Sequence, residues 1–167
     1  MKTLQQHISE KLIINKNYKD EQYFIYKLDN KEQIRIFENG WVQFNDYKNK
    51  VYINGERIKL DDSGHTAETY DPGEYYIEIK DIDEVEKCNN MFWNCWQLVS
   101  VPLFNTSKIL SMENMFRNCT KLISVPLLDT STVINMNGMF FLCDNLSDET
   151  KRQWSKVYDF NRNGKIK

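Results

Sequence analysis

A 24-residue repeat constrains the fold of this chain more than any other feature of its sequence. Three stretches share one outline: MFWNCWQL at 91–98, MFRNCTKL at 115–122 and MFFLCDNL at 139–146. The Met-Phe pair, the cysteine and the final leucine return in all three stretches at intervals of 24 residues. A unit of this size cannot bury its own apolar face, so neighbouring units are expected to stack and share a core.

The residues between these stretches predict a short strand in each unit. VSVPLF and ISVPLL alternate, which places Val101 and Leu103, or Val125 and Leu127, on the inner face. YYIEIK at 75–80 fits the same frame one period earlier. The repeat therefore predicts three successive strands.

A helix is predicted after each strand. Thr106 and Ser107 are residue types that favour a helix N-cap. Apolar residues then follow at intervals of three, four and three, at Ile109, Met112, Phe116 and Cys119. That spacing is typical of one face of a helix. Each unit is thus predicted to run from strand to cap to helix to return, and three units span 75–146.

The four cysteines fall within this pattern, at Cys88, Cys95, Cys119 and Cys143. Each takes an inward position of the predicted helix, where a small buried hydrophobic side chain fits. The two histidines lie outside the period, and the sequence contains no CxxC pair, so neither a zinc site nor a redox pair is indicated. We predict that the cysteines pack in the core and that the chain uses no metal and no cofactor.

The motifs of common enzyme classes, such as G-x-S-x-G, HExxH and the Walker loop, do not occur in the sequence. The nearest cluster of titratable residues is Asp61, Asp62 and His65, within a polar segment at 61–74. Turn formation explains that cluster more simply than catalysis does. We therefore predict no catalytic residues and no enzymatic activity.

Charge and hydropathy argue against two classes of partner. The chain has 22 Lys and Arg against 24 Asp and Glu, a net charge of -2 with both signs interspersed. This predicts no nucleic-acid partner, and the short apolar runs predict no membrane insertion. The first residues lack the apolar core of a signal peptide. We expect a location in the cytoplasm of the producing cell or in a virion, or at the cell surface or outside the cell if a signal is missing from this chain.

The segment before the repeats predicts antiparallel strands. Residues 21–74 hold Asn39-Gly40 and Asn54-Gly55 between alternating runs, which is a strong hairpin signal. These hairpins could cover the edge of the first repeat strand. Residues 1–20 have leucine and isoleucine at helical spacing, which predicts a short helical extension.

The segment after the repeats, 147–167, predicts a capping helix that begins at Ser147 and is followed by a tail. The tail at 159–164 reads DFNRNG, the first half of a calcium-binding loop without the later ligands, and we interpret it as solvated. The predicted fold class is α+β. It comprises an N-terminal antiparallel β-hairpin region and a short right-handed, leucine-rich-repeat-like β/α solenoid with a C-terminal capping helix.

The stretch LVSVPLFNT, together with MFxxCxxL and DTSTVINMNGMF, resembles the BspA-like leucine-rich repeats, a 24-residue class of bacterial surface-protein and mycoplasma-lipoprotein repeats. The resemblance covers about 80–146. It implies a right-handed solenoid with a parallel sheet on one face. It also implies a cell-surface or secreted protein that binds other proteins.

The predicted function is protein binding through the outward residues of the strand face, with the partner itself unidentified. The candidate binding residues are Tyr76, Glu78, Ser100, Phe104, Asn105, Ser124, Leu128 and Asp129. Phe104 and Leu128 are expected to stand exposed among polar neighbours, as an interaction patch requires. The alternative is a phage-encoded virion or host-interaction protein in which the repeats are mainly structural.

Overall fold

The computed structural model describes residues 23–162 and 165–166. The strands are β1 (Phe24–Leu28), β2 (Val51–Ile53), β3 (Glu56–Arg57), β4 (Gly73–Ile79), β5 (Leu98–Ser100), β6 (Tyr158–Asp159) and β7 (Lys165–Ile166). The helices are α1 (Phe44–Tyr47) and α2 (Asp148–Trp154), and short 3-10 turns occupy Ile82–Glu84 and Phe160–Arg162. The helical extension predicted at 1–20 lies outside the described residues, as do Asn163 and Gly164 of the tail motif.

The main sheet of the described residues is antiparallel and has five strands in the order β3-β2-β4-β1-β5. Alternate residues of β1 are buried, at Phe24, Tyr26 and Leu28, so one face of the sheet contacts the core. The predicted hairpin at Asn54-Gly55 is confirmed. It joins β2 to β3, and both turn residues have the positive φ that a tight hairpin turn requires.

The hairpin predicted at Asn39-Gly40 is wrong. The chain continues from that turn into α1, and it buries Trp41, Phe44 and Tyr47 at intervals of three residues. Trp41 is also held by its indole N–H, which donates to the carbonyl of Lys87 at 2.6 Å. Burial of these aromatic side chains therefore outweighs the preference of Asn-Gly for a β-hairpin.

The predicted right-handed β/α solenoid with its capping helix is wrong, and so is the α+β class, because the described chain is mainly β. The segments predicted as repeat helices are turns. Two residues in each unit have positive φ, at Asn90, Asn94, Asn114, Asn118, Gly138 and Leu142. The two left-handed residues of each unit are four positions apart, and a right-handed helix cannot continue through either of them. The first predicted repeat strand, now β4, pairs instead with β1 and β2.

Successive units nevertheless lie side by side with equivalent residues in register. The backbone N–H of Phe92 donates to Met115 O at 2.9 Å, and one unit later Phe116 N–H donates to Met139 O at 3.1 Å. The rings of Phe92, Phe116 and Phe140 stack at centroid distances of 5.6 and 5.8 Å. The 24-residue period thus builds a ladder of backbone hydrogen bonds and a column of aromatic rings.

One apolar core joins this column to the sheet. On the N-terminal side, Phe24 and Phe37 contact the ring of Phe92 at 5.3 and 5.8 Å between centroids. On the other side, the Trp154 ring of α2 lies 5.2 Å from that of Phe140. Ser147 is the N-cap of α2, as predicted, and its hydroxyl accepts the backbone N–H of Thr150. Neither described helix is long and apolar enough to cross a membrane.

Candidate protein-binding surfaces

Three of the predicted binding residues share one row on the outer face of the sheet. Tyr76 of β4 is paired with Ile25 of β1, and Ile25 is paired with Ser100 of β5. A parallel bridge then joins Ser100 to Ser124 in the next unit. The structure therefore brings Tyr76, Ser100 and Ser124 together across four adjacent backbone segments. Glu78 follows on the same face of β4 and forms an ion pair with Lys80.

The predicted exposure of Phe104 and Leu128 is wrong, because these side chains are only 4% and 2% exposed. The predicted alternation holds as far as Val101, which is buried, and fails after it. Strand β5 ends at Ser100, ahead of Pro102, which cannot donate to a ladder, so the backbone after Val101 is no longer extended strand.

Of the side chains predicted to face inward, Val101 and Val125 are buried, but Leu103 and Leu127 face solvent. Leu103 is 63% exposed and Leu127, its equivalent in the next unit, is 40% exposed. Ile123 is exposed as well, and its backbone N–H donates to the carbonyl of Val99 at 2.8 Å. We call Leu103, Ile123 and Leu127 the aliphatic strand face.

The remaining predicted residues, Asn105 and Asp129, are exposed and organise turns. The side-chain oxygen of Asn105 accepts the backbone N–H of Ser107 at 3.1 Å. That of Asp129 accepts the N–H of Ser131 at 2.9 Å. The backbone and hydroxyl hydrogen bonds from Ser131 lower the pKa of Asp129. Both side chains thus have a structural role that sequence reasoning did not assign.

A second set of exposed aliphatic side chains runs along another edge and was not predicted. Leu110 and Ile134 are equivalent residues of adjacent units, and the N–H of Ile134 donates to Leu110 O at 2.8 Å. Val42 is also exposed, and its neighbour Gln43 accepts two backbone N–H groups of the first unit. We call Val42, Leu110 and Ile134 the aliphatic edge. A groove of about 430 Å³ adjoins it, lined by Glu86, Lys87, Asn89, Lys108, Leu110 and Ser111.

The cysteines are buried, as their inward positions predicted. The thiol of Cys119 donates to the carbonyl of Phe92 at 3.0 Å, and that of Cys143 donates to Phe116 at 2.9 Å. Burial raises the pKa of Cys88 and Cys143 to about 12. The described residues contain no group of three or more His, Cys, Asp and Glu side chains placed to hold a metal ion.

The cluster around His65 organises a loop. The carboxylate of Asp61 accepts the backbone N–H of His65 at 3.0 Å. Burial lowers the pKa of His65, and the charge of Arg35 lowers it further. The Arg35 guanidinium also forms an ion pair with Glu38 and lies 6.0 Å from the ring centroid of Trp96. The hydrogen bond from His65 N–H to the Asp61 carboxylate fits the interpretation of Asp61 as a turn-forming residue.

Comparison with known proteins gave one family match. The family model described as a Mycoplasma protein of unknown function, DUF285, matches residues 74–163. The matched segment begins in β4 and contains all three MFxxCxxL stretches. No significant match was found among the curated proteins or among the solved structures.

Proposed function

We propose that this chain, which belongs to the Mycoplasma protein family of unknown function DUF285, is a non-enzymatic module that binds a partner protein. We further propose that its 24-residue sequence units are related to the BspA-like repeats, whose members are mostly described as cell-surface or secreted proteins. The MFxxCxxL and VPL segments, which carry that resemblance, lie within the matched residues.

The observation that carries this proposal is the aliphatic strand face. Leu103 and Leu127 come from equivalent positions of adjacent units, and Ile123 lies in the same segment as Leu127. Their neighbours Ser100 and Ser124 are polar and at least partly exposed. An apolar patch with a polar surround is typical of a protein-binding site.

The support beneath this face is rigid. Val101 and Phe104 are buried on either side of Leu103 in the chain, and Val125 and Leu128 flank Leu127 in the same way. The carbonyl of Val99 accepts backbone hydrogen bonds from the next unit. A surface fixed in this way loses little conformational entropy when a partner binds, which favours affinity.

The test uses the full chain as bait, identification of what it captures, and calorimetry with the purified partner. The variant Leu103→Asp/Leu127→Asp places two charges in the aliphatic strand face, and we expect it to weaken binding about tenfold or more. The matched control is Val42→Asp/Ile134→Asp, which adds the same charges on the aliphatic edge and should bind like the unaltered chain. Circular dichroism verifies that both variants fold. Unchanged affinity in the first variant would refute the proposal, and loss in the control alone would move the site to the aliphatic edge.

A further inference from the structure

A different surface carries an arginine that lies against an aromatic ring. Trp93, Arg117 and Phe141 occupy equivalent positions of the three units, where the repeat itself varies. The Arg117 guanidinium lies 4.4 Å from the ring centroid of Phe141. The two residues belong to adjacent units, and the N–H of Asn118 donates to Phe141 O at 2.8 Å. The stacking geometry is that of a cation–π pair.

A glycine makes room for this arrangement. Gly138 has a φ of +67° and replaces the asparagines found at positions 90 and 114. A Cβ atom at Gly138 would lie 2.4 Å from Asn114 Oδ1 and 3.4 Å from Arg117 Nη1. Asn114 Oδ1 and Arg117 Nη1 are themselves 3.5 Å apart. Two departures from the repeat, Gly138 and Phe141, therefore determine where the guanidinium of Arg117 lies.

The charge of Arg117 has no carboxylate partner within the described residues. Arg35 and Arg152 each form an ion pair with a glutamate three residues away, whereas no acidic side chain of the described chain lies within ion-pair distance of Arg117. Arg117 is partly exposed. A guanidinium whose face is occupied by a ring still presents its N–H groups at the edge, where they match a carboxylate bidentately.

We propose that Arg117, held by Phe141 and Gly138, is a binding site for a carboxylate of an acidic segment in a partner protein. Leu142, which directly follows Phe141, is 47% exposed and is available for an apolar contact with the same segment. Neither Arg117 nor Phe141 belongs to the aliphatic strand face, so failure of this site would leave the proposed function standing.

The test is a nuclear magnetic resonance titration of the full chain with a blocked tetraglutamate peptide, with blocked tetraglutamine as the uncharged probe. The Nε–Hε signal of Arg117 and the amide signal of Phe141 are expected to shift saturably with tetraglutamate and to stay fixed with tetraglutamine. Added salt should weaken the binding, because a partly exposed charge pair is screened. Equal shifts with both peptides would overturn the proposal.

Four variants distinguish binding at Arg117 from a general attraction between the charges of the peptide and the protein. Arg117→Gln should abolish the shift at Phe141, and Arg117→Lys, which keeps the charge but not the planar fork, should weaken binding about fivefold. Gly138→Asn keeps every charge and restores the residue of the other units, whose backbone has the same sign of φ. We expect it to fold and to weaken binding by displacing Arg117. Arg57→Gln, in exposed β3, is the control and should bind normally. Wild-type affinity of Arg117→Gln would refute the site, and wild-type affinity of Gly138→Asn would refute the role of Gly138 in placing the guanidinium.

Discussion

The parallel rings of Phe92 and Phe116 should stabilise the fold as a coupled pair. Phe116 is fully buried, and its ring lies 5.6 Å from Phe92 and 5.8 Å from Phe140, with interplanar angles of 1° and 10°. Replacing Phe116 by leucine keeps an apolar side chain in place but removes both ring contacts. The substitution therefore isolates the aromatic contribution better than truncation to alanine does.

The expected magnitude follows from these two contacts. Each aromatic pair contributes about 0.5–1.5 kcal/mol beyond area burial, so Phe116→Leu should lower the free energy of unfolding by about 1–3 kcal/mol. Phe116→Ala should cost about 3–5 kcal/mol, because it also leaves a cavity. In a double-mutant cycle with Phe92→Leu, the coupling energy should be about 0.5–1.5 kcal/mol.

The assay is urea unfolding followed by circular dichroism and tryptophan fluorescence. The control cycle pairs Phe104→Leu with Phe140→Leu, since Phe104 contacts Phe24 and lies outside the ring column. Its coupling should stay below about 0.5 kcal/mol. A coupling of zero between Phe92 and Phe116, or an equal coupling in the control, would show that the rings add only bulk.

Three further outcomes follow from the structure. With a pKa of about 12 at Cys88 and Cys143, the thiolate fraction at pH 8 is about 10⁻⁴. Ellman's reagent should therefore label no buried cysteine in the folded chain and all four in guanidinium, and rapid labelling of the folded chain would contradict this. Asn118→Leu should lower the free energy of unfolding by about 1–2 kcal/mol because leucine resists positive φ, whereas Leu142→Asn, at the equivalent position, relieves the same backbone cost; equal destabilisation by both swaps would refute that reasoning. The lowered pKa of His65 means that the unfolded state binds the proton more readily, so stability should be complete above about pH 6.5 and fall as the pH drops through the folded-state pKa; His65→Gln should remove this part of the pH dependence in unfolding titrations.

The sequence correctly predicted those elements in which the local conformational preference and burial in the core favour the same structure. The hairpin at Asn54-Gly55 and a helix with Ser147 as its N-cap follow directly from turn chemistry and an N-cap residue type. The inward positions of Phe116 and Cys119 also follow, because a stripe at intervals of three and four is buried whether its backbone is helical or a series of turns. The period alone could not separate these two backbones.

The sequence does contain a signal that distinguishes turns from a helix. Asparagine stands at positions 90, 94, 114 and 118, and it is the residue other than glycine that most readily adopts positive φ. Two such residues in each of the first two units, four apart, oppose a continuous helix. Leu142 shows the limit of this rule, because it adopts the same conformation although its own preference opposes it. At that position the register imposed by the preceding units decides the backbone.

The composition of the aliphatic strand face depends on a contact that no repeat period encodes. Strand β1 is distant from the repeats in sequence, yet it pairs with β5 and leaves Val99 as the extra residue of the ladder. The ring of Phe24 lies 6.2 Å from that of Phe104 between centroids, and with Phe104 buried in this contact the preceding residue, Leu103, faces solvent. The second unit repeats this outcome at Leu127 although β1 does not pair with it, and its backbone follows the first unit through hydrogen bonds to Val99 O. Contacts between segments, and not the 24-residue period alone, therefore determine which aliphatic side chains of the repeats face solvent.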